Sequence, residues 1–165
     1  MQQEEFQYRD ERFADIQMLR YRLNGFERLS LKQKKLVYYL SQAALYGRDI
    51  TFDQFGAYNL KIRKVLEVVY SDMRVPRDND DFRSLGIFLK QVWFASGIHH
   101  HYGCEKFTPR FSEQFLRDAL HKVDARRLPL DEGQTVDGLC DELCPVIFDP
   151  TVMPKRVSKV DGEDL

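Results

Sequence analysis

The residues able to do chemistry crowd into one short stretch. His99, His100, His101 and Tyr102 are consecutive, and Cys104 follows two positions on. Imidazole and thiolate are both metal ligands and proton carriers. Side chains of consecutive residues diverge, however, and histidine zinc sites on helices use spacings such as i and i+4. A metal would need Cys104 or His121 to converge with one of the three histidines. The alternative is a polar loop whose histidines bond to backbone. Cys104 and His101 could also form a nucleophile and base, yet no acid that would orient the imidazole is identifiable. Cys140 and Cys144 stand at i and i+4. With no second pair to complete a metal site, they read as small buried apolar residues. Ser41 reads as a helix residue and Ser112 as a cap. The sequence holds no Gly-x-Ser-x-Gly, phosphate-binding glycine loop, dinucleotide fingerprint or His-Glu-x-x-His. No complete active site emerges from the residues alone.

The elements that must position this stretch are helical. From about Glu4 to Leu23, Phe13, Ile16 and Leu23 recur near a period of 3.6 and predict an amphipathic helix, stopped by Asn24-Gly25. Ser30 with Gln33 forms a capping-box pattern. It opens a helix with Leu36, Val37, Leu40, Ala43 and Ala44 as its buried face and Gly47 at its end. Residues 48–56 read as a connection. A helix from about Ala57 to Ser71 carries the stripe Ile62, Val65, Leu66 and Val69. Another, Asp80 to Ala95, carries Phe82, Leu85, Phe88, Leu89 and Val92 or Trp93, with Gly86 weakening it slightly. Residues 97–109 are irregular. A short helix follows from Ser112 to Val123, then a loop around Pro129, then a helix from Thr135 to Phe148 on Val136, Leu139, Leu143 and Ile147. No strand-length alternation stands out. The prediction is an all-α fold of five to six helices in an orthogonal or bundle-like packing, covering 1–150, with a tail over 151–165.

Composition narrows the partners. The chain has 165 residues, enough for one domain or one lobe. Hydrophobic residues at 43% and charged residues at 31% match an ordinary globular domain. The net charge of −1 gives no electrostatic drive toward nucleic acid or an anionic membrane. No apolar run approaches the ~20 residues that span a bilayer, and the polar start from Met1 to Asp10 carries no signal-peptide core. Three cysteines make a poor disulfide framework. Free thiols in a reducing, cytoplasmic compartment are the simpler reading; an exported chain whose signal peptide has already been removed is the alternative.

Several long segments resemble one family. The stretch Leu29 to Ile50, the run Tyr58-Asn-Leu-Lys-Ile-Arg63 and the run Phe88-Leu-Lys-Gln-Val-Trp-Phe94 are similar to early segments of bacterial dipeptidyl peptidase III proteins. The most specific piece is Gly97-Ile-His-His-His-Tyr-Gly-Cys-Glu-Lys-Phe107, similar to a loop on the cleft side of that family's amino-terminal lobe. The segments Leu130 to Leu143 and Phe148 to Lys155 continue the match, so it covers nearly the whole chain.

The resemblance implies a two-lobed zinc metallopeptidase that releases dipeptides from peptide amino ends. Its zinc sits on two histidines of a His-Glu-x-x-Gly-His helix and a later glutamate, all in the other lobe. Family members are several times longer than this chain. By resemblance, then, the chain is the amino-terminal lobe without the catalytic part and inactive alone. Tyr102 is the candidate substrate contact, with Gly97, Ile98, His99 and Gly103 shaping its loop. No catalytic and no metal-binding residue is expected here. The partners implied are a peptide substrate, the catalytic lobe, and a second copy of the chain through an uncovered lobe face. One departure stands out: Ala95-Ser96 occupies the place where relatives commonly carry Ser-Asn. A stand-alone helical peptide- or protein-binding module is the alternative.

Overall fold

The computed structural model describes residues 6–155. Two strands, β1 (Arg9–Phe13) and β2 (Ile16–Leu19), are followed by six helices. These are α1 (Leu31–Tyr46), α2 (Arg48–Phe55), α3 (Asn59–Ser71), α4 (Asp80–Ala95), α5 (Glu113–Lys122) and α6 (Val136–Phe148). Single 3-10 turns lie at Phe26–Arg28 and Ala125–Arg127. The fold is therefore mostly helical, with one small sheet. The chain divides into two compact units, Met1–Ile50 and Thr51–Leu165.

In the first unit the structure corrects the sequence reading. Residues 9–19 form an antiparallel hairpin rather than a helix, with Phe13 paired to Ile16 and Arg12 to Gln17. The i, i+3 spacing of Phe13 and Ile16 is equally the spacing of two residues that flank a two-residue turn. Ala14 makes that turn at φ 47°. Phe13 and Ile16 thus become a cross-strand apolar pair, and both are buried. The following helix forms as its cap predicts. Gln33 N donates to Ser30 Oγ at 3.3 Å, and Ser30 N donates to Gln33 Oε1 at 2.9 Å. The face assigned to α1 is not buried, however: no residue of this helix is. Leu36, Val37 and Leu40 are exposed, at 58%, 43% and 60%. An apolar stripe states which side of a helix prefers to leave water, not that a partner covers it.

The second unit holds the core. Residues 48–56, read as a connection, contain α2, whose Phe52 is buried. The stripes of α3 and α4 are confirmed: Ile62, Val65, Leu66, Val69, Leu85, Leu89 and Val92 are fully buried. Trp93 instead faces outward at 43% exposure, and its indole donates to Glu67 Oε1 at 2.8 Å. The two helices pack closely at Gly86, where an added Cβ would come within 3.1 Å of the Tyr70 ring. That ring stacks on Phe82. Helices α5 and α6 form a second pair joined to the same core through Leu116, Ala119, Leu120, Leu139 and Leu143. Side-chain caps on Asn79, Ser112 and Thr135 start α4, α5 and α6. At the far end of α3, the Asp72 carboxylate takes a two-pronged contact from Arg74 and a third bond from Arg127 at 3.2 Å. The bonds from Arg74 hold this carboxyl well below its usual titration range.

Candidate functional site

The segment 97–107 leaves the end of α4 through Ser96, which caps the helix in the left-handed region at φ 56°. That conformation suits asparagine and glycine better than serine. The chain then presses against α3. Asn59 is buried at 3% exposure, and its Oδ1 accepts from Ile98 N at 3.2 Å. An added Cβ at Gly97 would fall within 2.6 Å of Asn59 Cγ. Only glycine permits this approach. Ile98 is anchored in the core. A Cβ at Gly103, by contrast, would meet only the carboxylate end of the Glu105 side chain. Glu105 is exposed and can swing aside.

Backbone bonds close the segment into a hairpin-like loop. Phe107 N donates to Ile98 O and His100 N to Glu105 O, each at 2.8 Å. His99 and Lys106 form the bridging pair between its two sides. From this rung both side chains reach the turn that follows α6. Lys106 Nζ donates to the carbonyls of Asp149 and Val152, each at 2.7 Å. His99 Nε2 lies 3.1 Å from Met153 O. A carbonyl only accepts, so Nε2 carries the proton. Burial pushes the His99 imidazole below its usual pKa, with Lys106 and Lys155 acting in the same direction and the bond to Met153 opposing.

The remaining aromatic groups form a cluster at the apex. His101 is edge-on to Phe94 at 4.7 Å between ring centres, and His100 and Tyr102 flank it at 4.4 and 4.3 Å. Tyr102 N donates to His100 Nδ1 at 3.3 Å, which fixes that nitrogen as an acceptor. His101 Nδ1 is buried without a hydrogen-bond partner. Tyr102 is 91% exposed. The cavity beneath the loop, lined by Asn59, Gly97 and the three histidines among others, measures about 10 Å³. It has room for about one water molecule. A peptide would have to lie across the apex rather than enter the loop.

Among the described residues, no group of three or more His, Cys, Asp or Glu is placed to share a metal ion. His121 meets Asp137 at 2.9 Å between α5 and α6 instead of joining the other histidines. Cys140 and Cys144 are core residues, 0% and 1% exposed. Burial raises both thiols, Cys144 to about 12, so neither is a ready thiolate. Among the described residues, no helix is long and apolar enough to cross a membrane.

The five residues singled out by resemblance therefore share one structured loop. Sequence reasoning missed Asn59, Lys106 and Met153. All three do lie inside the runs that carry the resemblance, and that was the available signal. Comparison of the chain with protein-family models and with curated proteins gave no match.

Proposed function

We propose that this chain is the amino-terminal, cleft-forming lobe of a dipeptidyl peptidase III-type zinc peptidase, and that its 97–107 loop offers a surface to peptides without catalysing their hydrolysis. The observation that carries the reading is Tyr102. It is almost fully exposed, yet it sits on a loop pinned from below by Asn59 and from the side by Lys106. An exposed aromatic on a fixed base loses little freedom when a partner stacks on it. The apolar residues of α1, none of them buried, are what a lobe face intended for a neighbour would present.

In the proposed parent, zinc polarises the scissile carbonyl and activates water from the other lobe. No residue in this chain is assigned to hold it. This chain would supply one wall of the peptide cleft, with the loop's backbone and the Tyr102 ring as contacts.

Two measurements test the proposal. The isolated chain with added zinc should not turn over a dipeptidyl-arylamide; chelator-sensitive turnover would overturn the non-catalytic role. A short peptide such as tetra-alanine should perturb amide signals of 98–107 by NMR. Unchanged spectra at millimolar peptide would remove the peptide-facing role.

The alternative is a stand-alone helical peptide-binding module. The same rigid loop favours it, since nothing in the loop's construction depends on a second lobe. The coding sequence downstream of Leu165 separates the two. A continuation encoding His-Glu-x-x-Gly-His favours the lobe.

A further inference from the structure

The turn after α6 holds a strained residue. Met153 adopts φ 52°, in the left-handed region. A side chain with a Cβ visits this region rarely, and it persists only where its surroundings enforce it. Part of the enforcement is local. Thr151 N and Oγ1 donate to Asp149 Oδ1 at 2.8 and 2.7 Å. The rest comes from the loop, more than forty residues away in sequence. Lys106 grips the Asp149 and Val152 carbonyls, and His99 grips that of Met153 itself.

These three bonds share one origin. His99 and Lys106 face each other across an antiparallel bridge, so their side chains leave the same rung on one side. The backbone bonds flanking that rung, from His100 and from Phe107, close the loop whose apex is Tyr102. The apex and the turn are therefore fastened to the same pair of residues. One cannot shift far without disturbing the rung, and the rung cannot shift without loosening the other.

We propose that residues 97–107 and 149–153 form one coupled device, in which the His99–Lys106 rung clamps a strap strained at Met153 and a ligand on the loop shifts that strap. The clamp stands on geometry alone, while its control by a ligand rests on the peptide-facing reading above. Lys106 is a positioning residue. It lies several residues from the apex and acts through the backbone it holds. Coupling of this kind is reciprocal, so whatever displaces the strap also changes the loop's affinity.

Hydrogen exchange on the full chain tests it. In Lys106→Met, amides of 98–107 and of 149–155 should both exchange at least tenfold faster, while α3 and α4 amides stay unchanged. Lys106→Arg, which keeps a donor able to reach two carbonyls, should restore most of the protection. Faster exchange in only one of the two segments, or in neither, would overturn the clamp. Met153→Gly removes the strain, so Lys106→Met placed in that background should accelerate strap exchange severalfold less; an undiminished effect would refute the strained strap. With tetra-alanine at millimolar concentration, protection should change in both segments. Protection confined to the loop rules out ligand control. No effect on either segment defeats the peptide-facing reading and the ligand control built on it, and leaves the Lys106 variants to decide the clamp.

Discussion

The carboxamide of Asn59 occupies the space that any side chain on Gly97 would need, and its oxygen accepts from the next residue's N–H, that of Ile98, at 3.2 Å. One buried polar group on α3 thus sets the starting position of the whole 97–107 loop. Burying an amide is favourable only when it is hydrogen-bonded, so Asn59 and the loop specify each other. Gly97→Ala should therefore cost about 1–3 kcal/mol, the range for overpacking a filled site. Gly103→Ala should stay within about 0.5 kcal/mol, because the only group a Cβ there would meet is the exposed Glu105 side chain, which can move away. Urea midpoints at constant slope measure both. Equal costs for the two would show that Asn59 does not confine the loop.

Ser96 gives the opposite prediction. It ends α4 at φ 56°, where an L-residue with a Cβ pays roughly 1–2 kcal/mol. Ser96→Gly should stabilise the chain by up to about 1 kcal/mol once the extra freedom of glycine in the unfolded chain is subtracted. Thermal unfolding reads this directly, and a fall in midpoint would contradict it.

Tyr102→Ala separates binding from folding. A side chain 91% exposed contributes little packing, so stability should change by no more than about 0.5 kcal/mol. Tetra-alanine binding to the loop should weaken at least tenfold. Unaltered affinity would remove Tyr102 as a contact.

The thiols should differ in reactivity. Cys104 is partly exposed, whereas Cys140 and Cys144 are buried and their thiols raised. Ellman's reagent at pH 8 should titrate Cys104 in the native chain and all three cysteines only in denaturant. Rapid native labelling of Cys144 would contradict the burial of α6.

Acid should remove stability in two steps. The folded pKa of His99 lies below its ordinary 6.5, so below that pH the unfolded chain binds the extra proton and stability falls as pH drops toward the folded value. Asp72 is also depressed, but from 3.8. Its contribution is complete above about pH 4 and is lost further down. Urea midpoints across pH 7.5 to 3 should show both declines, and His99→Gln should flatten only the upper one. An upper decline unaltered in that variant would assign it to another group.

Much of the second unit was readable from local rules. Ser112 announces α5 because a cap satisfies orphan N–H groups within one turn, and such bonds need only neighbours in sequence. The stripes of α3 and α4 were readable because a period of 3.6 survives without knowledge of the partner. The hairpin was not readable, since Phe13 and Ile16 fit a helix face and a two-residue turn equally. Helix α2 was missed because it begins immediately after Gly47, with no cap of its own to mark it.

Helices α3 to α6, the loop and the residues in it were set by local sequence, because caps, periodicity and composition act over a few positions. Tertiary structure alone decided what the loop is fastened to. Asn59 lies 38 residues before Gly97, and the Asp149 carbonyl lies 43 residues after Lys106. Contacts at such separations depend on how α3, α4 and α6 pack around a shared core. The sequence also marked an apolar stripe on α1 and could not reveal that no residue of that helix is buried, because burial belongs to a pair of surfaces and one stripe specifies only half of it.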